Sequence, residues 1–271
     1  MNFPIRKVSL FISIISLFLF GCSSYHNIRE INKNLKEESF TVMTYNIRVA
    51  CGREDYGVSP YLCKASKKNL LRVAAAIRSI DPDVIGLQEV KGFCQAKFLA
   101  KTLNLNYAYS PHPSAWWGLT VLSKFKILKL RSKQIHSGLD PRVAQVCAIN
   151  IGGKPITFIN VHYHLGDYEQ QVGATMRLLK DTKAPVVLMG DLNRKPWHYE
   201  LKPIRENLIE TCEAVDTIGS RYVAIWGTGY GRIDYVFADP NSFEVIDVGL
   251  IPKEHWPASD HVAYFARVAF K

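Results

Sequence analysis

The sequence predicts an α+β fold of two packed, mostly antiparallel sheets with helices on their outer faces. Three observations point there. Apolar, β-rich runs outnumber the helical ones, and one pair is joined by the hairpin turn Gly152-Gly153. Strands and helices do not alternate strictly, which argues against a doubly wound parallel sheet. The span 22–271 is long enough to bury one large core.

The elements follow in order. Phe40–Val49 alternates and reads as a strand. Asn69–Ile80 carries apolar residues at helical spacing and stops before Asp81-Pro82. Asp83–Leu87 is a short apolar strand and Gln95–Leu103 a helix. Strands are expected at Tyr107–Ser110, Gly118–Ser123, Ile127–His136, Val143–Ile151 and Ile156–His162. Tyr168–Lys180 reads as a helix and Val186–Met189 as a strand. Four further strands are expected at Arg221–Ile225, Ile233–Ala238, Glu244–Leu250 and Ala263–Ala269. There is no usable repeat, low-complexity tract, Walker loop or G-x-G-x-x-G.

The chain opens with a short basic head, an uncharged run from Val8 to Phe20, and then Gly21-Cys22-Ser23-Ser24. The run is too short to span a bilayer comfortably and reads as a secretory signal. Leu19-Phe20-Gly21-Cys22 looks like a bacterial lipobox, whose cysteine becomes the lipidated N-terminus. Residues 1–21 are therefore expected as a lipoprotein signal peptide, Cys22 as the lipidation site and 22–39 as a polar tether. The expected address is the bacterial cell envelope, outer membrane first, with the chain periplasmic or surface-exposed. An ordinary cleaved signal is the alternative.

The formal net charge is +10, with 34 Lys and Arg against 24 Asp and Glu. That favours an anionic partner such as nucleic acid or an anionic membrane face. The basic residues are dispersed, with one dense run at Lys64, Lys67 and Lys68. Apart from Cys22, five cysteines remain. Cys147 lies in an apolar strand and is expected to be buried; Cys51 pairs with Cys63, or one of them reaches Cys94. No Cys/His zinc spacing is present.

Six polar segments sit at or just beyond the ends of β-rich runs. They are Tyr45-Asn46-Ile47-Arg48, Gln88-Glu89-Val90, Asn160-Val161-His162, Gly190-Asp191-Leu192-Asn193, Arg232-Ile233-Asp234-Tyr235 and Ser259-Asp260-His261. Strand ends are where a rigid sheet can deliver separate side chains to one cleft. Phosphoester hydrolysis needs a cation on a phosphate oxygen, an activated water and a stabilised leaving oxygen. Glu89 is placed for a hard divalent cation, Mg²⁺ or else Mn²⁺ or Ca²⁺, and Asp260 could bring a second carboxylate. Asp191 and Asn193 alternate across Leu192; on an extended stretch they share a side and could orient a water and a phosphate oxygen, though an Asx turn is the equal alternative. Asp234 could fix the tautomer of His261, and His162 could donate to a phosphate oxygen. His164 is expected at the surface or behind the site. Trp197 and Trp256, beside prolines in expected loops, are the better substrate-contacting tryptophans.

Taken in this order, the segments resemble the endonuclease/exonuclease/phosphatase superfamily over roughly 40–271. Gly118–Lys124 is similar to that family's mid-chain strand. The resemblance implies a four-layer α/β/β/α sandwich and a monomeric metal-dependent phosphoester hydrolase. It implies Glu89 for the metal with Asn46 and Asp260 beside it. Asp191 would orient or deprotonate water, Asn193 would hold a phosphate oxygen, and His162 would bind phosphate or act as acid. Asp234 and His261 would form the family's carboxylate–imidazole pair. Gly231-Arg232-Ile233-Asp234-Tyr235 departs from the Trp-x-Asp-Arg of the inositol 5-phosphatases and argues against that branch. A phosphodiester in nucleic acid is the favoured substrate, and a phospholipid or sphingolipid headgroup is the alternative. A non-catalytic binding lipoprotein is the reading from another class.

Overall fold

The computed structural model describes residues 25–27, 39–53, 62, 64–114, 116–183, 185–215 and 232–271. The signal segment with Cys22, together with Cys63, Trp226 and the expected strand Arg221–Ile225, lies outside them.

The architecture follows from how the central strands divide their side chains. In β2 (Ser39–Asn46), Phe40 and Val42 enter one apolar cluster while Met43 and Tyr45 enter another. In β9 (Val186–Asp191), Val187 and Met189 join the cluster that holds Phe40 and Val42; Val186 and Leu188 enter a third. A period of two thus gives each sheet an inner and an outer apolar face. The shared cluster lies between the sheets. The other two lie under helices, which makes four layers. This is the sandwich the resemblance implies.

Among the described residues, the first sheet has seven strands. In order they are β1 (Tyr25–Asn27), β4 (Asn106–Pro111), β5 (Gly118–Ser123), β3 (Val84–Val90), β2, β13 (Tyr264–Phe270) and β12 (Phe243–Leu250). The second has six: β10 (Ile209–Glu210), β11 (Asp234–Ala238), β9, β8 (Lys154–His162), β7 (Arg142–Ile151) and β6 (Ile127–His136). Only β2–β3 and β8–β9 pair parallel among the described strands. Helices α1 (Lys67–Ile80) and α2 (Gly92–Leu103) cover the first sheet, and α3 (Tyr168–Lys180) covers the second. Ser66 Oγ caps α1 by accepting from Asn69 N at 3.1 Å, so the helix begins before the expected Asn69. Tyr25–Asn27, within the expected tether, pairs antiparallel with β4.

Two expectations change. The first strand stops at Asn46 rather than Val49, because Arg48, Val49 and Ala50 all take positive φ (46°, 46° and 59°) and coil into a tight turn. Cys51 is disulfide-bonded, but Cys94, Cys147 and Cys212 are free, so Cys94 is not its partner. Cys147 is buried, as its strand position required.

Candidate active site

The sheet period also builds the site. On the inner face, Phe40 and Val42 continue to Asn46, Phe158 continues to His162, Val187 and Met189 continue to Asp191, and Val236 leads back to Asp234. β2, β8 and β9 deliver these residues from their carboxyl ends. β11 is antiparallel to β9, with Asp234 opposite Asp191, so it delivers from its amino end. Glu89 has the wrong parity for the inner face. A bulge corrects it: the β3–β5 register shifts between Leu87 and Val90, and Glu89 adopts φ +53°. Beneath the site Gln88 Nε2 donates to Asn160 Oδ1 at 2.8 Å, a buried polar tie between the two sheets.

Asp191 is the hub. Its Oδ2 accepts from Asn46 Nδ2 at 3.1 Å and lies 3.6 Å from His162 Nε2 and 3.7 Å from His261 Nε2. Burial pushes its carboxyl up to about 7, the Asp234 charge adds to this, and His261 opposes it. Asp191 Oδ1 accepts from Asn193 N at 2.9 Å, so an Asx turn forms. Asn193 has φ +50° and its Nδ2 donates to Tyr163 O at 2.8 Å. The expected extended pairing of Asp191 and Asn193 on one side is therefore replaced by the turn, and one of the two Asn193 Nδ2 protons is taken by Tyr163 O.

His261 Nδ1–H donates to Asp234 Oδ2 at 2.8 Å. Burial works against a charged imidazole, but the Asp234, Asp191 and Asp260 carboxylates outweigh it and hold His261 well above the ordinary histidine range. Asp234 is raised by burial and drawn back by His261. The expected carboxylate–imidazole pair is present. Ligand atoms of Asp191, Asp234 and His261 lie within 4.8 Å of one another. The 2.8 Å contact is a hydrogen-bond length, which favours a proton between Asp234 and His261 over a shared metal ion.

Hard-cation chemistry fits at Glu89 instead. Its Oε1 accepts from Asn46 Nδ2 at 3.1 Å, while Oε2 is buried with no hydrogen-bond partner. Burial raises this carboxyl and Asp260 raises it further. A buried acidic oxygen without a donor is what a divalent cation would satisfy. Asn46 Oδ1 accepts from Arg48 N at 3.0 Å, and Asp260 Oδ2 lies 3.3 Å from Arg48 Nε. Both expected companions of Glu89 are thus close to it but already engaged by Arg48.

Two site residues are not among the expected ones. Arg142, buried at the start of β7, places Nη1 3.0 Å from His162 Nδ1 and also pairs with Asp140. An arginine can only donate, so His162 carries its proton on Nε2, facing Asp191 and Glu89. Burial, then Arg142 and His112, hold His162 well below the ordinary range. Burial and the neighbouring guanidinium thus favour the neutral ring, with Nε2–H as its donor. His112 is fully buried; its Nδ1 accepts from Val143 N at 3.2 Å and its Nε2 has no partner. The signals were Asp140-Pro141-Arg142 opening an apolar strand and Pro111-His112-Pro113 closing one. His164 is half-buried and stacks on His136 with ring centroids 4.6 Å apart. Trp197 is exposed, while Trp256 is half-buried, packing against the core under α1 and donating from Nε1 to Ile251 O at 3.0 Å.

The model of the Endonuclease/Exonuclease/phosphatase family matches residues 43–261. The chain belongs to this family. Among curated proteins it is similar to an inositol phosphosphingolipids phospholipase C of Saccharomyces cerevisiae. The two are 25% identical over a 249-residue alignment that covers 68% of this chain and 52% of that protein. The chain thus spans about half the length of that relative. Among solved structures it is similar to TDP2 of Caenorhabditis elegans, at a TM-score of 0.69 and 20% identity, covering 85% of this chain and 97% of that one. An endonuclease/exonuclease/phosphatase of Bacteroides vulgatus gives a TM-score of 0.73 at 17% identity, covering 87% of this chain and 100% of that one. A mannosyl-6-phosphatase of Bacteroides thetaiotaomicron gives 0.68 at 19%, covering 85% and 100%. Family members are phosphoester hydrolases that generally use divalent metals. At these identities the solved structures speak for the shared fold.

Proposed function

We propose that the protein is a divalent-cation-dependent phosphodiester hydrolase. The observation that carries this reading is the convergence on Asp191 Oδ2 of an amide and two imidazoles, with Glu89 Oε2 buried and unpartnered beside them. Glu89 would hold the cation, with Asp260 and the Asn46 amide alongside. When bound, the cation neutralises charge on a phosphate oxygen. Asp191, raised to about 7 by burial, is basic enough to accept a proton from an attacking water near neutral pH. Asp234 holds His261 charged, so His261 Nε2–H donates into the cleft. His162 Nε2–H donates beside it, its tautomer set by Arg142. The two histidines are suited to phosphate oxygens that gain charge as the phosphoester breaks.

For the substrate, the yeast relative supports a lipid headgroup diester, while the net charge supports nucleic acid. Export as a Cys22-lipidated envelope protein is also proposed, on the lipobox alone. The test is hydrolysis of bis(p-nitrophenyl) phosphate, plasmid DNA, RNA and sphingomyelin with Mg²⁺, Mn²⁺ or EDTA. The reading expects cation-dependent release that EDTA abolishes. Activity unaffected by exhaustive chelation would reject it.

A further inference from the structure

The loops that carry the site also carry apolar tips. Trp116 follows His112 by four positions, Leu139 precedes Arg142 by three, Leu165 follows His162 by three and Trp197 follows Asn193 by four. All four are exposed, with relative residue exposures of 56%, 107%, 75% and 69%. The loops adjoin one another. His136 Nε2 lies 3.0 Å from Asp167 Oδ2, His136 stacks on His164, and the Arg194 guanidinium lies 3.1 Å from the centroid of the Tyr168 ring. A cavity of about 610 Å³ opens among them, lined by residues of three of these loops, including Ser137, Asp167 and Tyr199. Among the described residues, four exposed apolar side chains thus stand on loops at the strand ends that carry the site.

From this arrangement we infer that the mouth docks on a zwitterionic lipid surface, presenting the site to phosphodiester headgroups. The inference rests on the hydrolase reading above. Leucines have no π face on which a base could stack, so Leu139 and Leu165 offer nothing to single-stranded nucleic acid. Among the described residues of these loops the charges are balanced: Arg142 pairs with Asp140, Arg194 with Glu200 and His136 with Asp167, while Glu169 adds negative charge. A polyanion gains little from such a balanced surface. An interface of neutral headgroups suits it. Indole rings sit at headgroup depth, aliphatic tips reach the acyl boundary, and Lys195 Nζ, 5.3 Å from the Trp197 ring centroid, is placed for a lipid phosphate.

The test places the full-length chain on phosphatidylcholine–sphingomyelin vesicles whose acyl chains carry bromine, and reads tryptophan quenching. An N-terminal anchor would hold the chain at the surface in every variant, so quenching reports the depth of the mouth alone. The expected result is quenching that falls by at least half in the Trp116→Phe, Trp197→Phe double variant. In the Leu139→Glu, Leu165→Glu double variant, vesicle sphingomyelin hydrolysis falls at least 10-fold while bis(p-nitrophenyl) phosphate turnover is unchanged. Unquenched tryptophans on vesicles would overturn the inference. So would protection of Trp116 and Trp197 by a single-stranded oligonucleotide in the absence of bromolipid quenching. Loss of turnover on the soluble diester in the wild-type chain would defeat the hydrolase reading, whatever the quenching shows.

Discussion

Arg142 fixes His162 from behind: Nη1 donates across 3.0 Å to Nδ1, so the only proton the ring carries, on Nε2, faces Asp191 and Glu89. A guanidinium in that position makes a second proton on His162 costly, and burial adds to the cost. Both effects favour the neutral ring, with its proton on Nε2.

Replacing Arg142 by Gln is expected to free the tautomer and lift the repulsion. The proton affinity of His162 rises, visible as an upward shift of its titration in nitrogen-15 histidine spectra of the metal-free protein. kcat/KM falls about 10²–10³-fold, the range for one lost electrostatic donor. A His162 titration that does not move would show that Arg142 does not set it.

Asp234→Asn removes the acceptor that holds His261 protonated and oriented. A loss of about 10²–10⁴ in kcat is expected, with KM little changed, as for the removal of a proton-handling partner. A fall confined to KM would mean that the pair binds substrate and does no chemistry.

Asp191 links chemistry to stability. Its folded carboxyl is raised to about 7, above its unfolded value, so the folded state holds the proton more tightly. Without metal, the fold is penalised as pH rises from about 4 to about 7, and the penalty is full above that. Asp191→Asn mimics the protonated form and escapes it. The metal-free variant should gain in Tm relative to wild type as pH rises from 5 to 8, while losing activity. Equal Tm differences at both pH values would contradict the burial argument.

Gly190 enters Asp191 with φ +149°, and a Cβ there would lie 2.0 Å from Val161 O. Backbone on the parallel β8 partner strand cannot give way cheaply. Gly190→Ala is expected to destabilise the fold by about 2 kcal/mol or more in urea titration and to displace Asp191.

Much of this was legible in the sequence, for a definite reason. Apolar parity along β2, β8, β9 and β11 names the inner face, and the same parity names Asn46, His162, Asp191 and Asp234. The sequence did not reveal features that break local regularity. Glu89 reaches the cleft only through a bulge with φ +53°. The Asx turn at Asp191 engages the Asn193 backbone N–H while the side-chain Nδ2 donates to Tyr163 O, and three positive-φ residues after Ile47 turn Arg48 onto Asp260. Arg142 and His112 act through His162 from neighbouring elements, a relation that sequence spacing cannot show. Trp256 lies beside a proline and reads as a loop contact; its indole is half-buried against the core and bonds Ile251 O.

The most direct measurement is the Mg²⁺-dependent turnover of bis(p-nitrophenyl) phosphate by wild type, Asp191→Asn and His261→Ala, with folding of each variant checked by circular dichroism. The account predicts EDTA-sensitive turnover in the wild type and losses of at least 10²-fold in both folded variants. Full cation-dependent activity in both would contradict it.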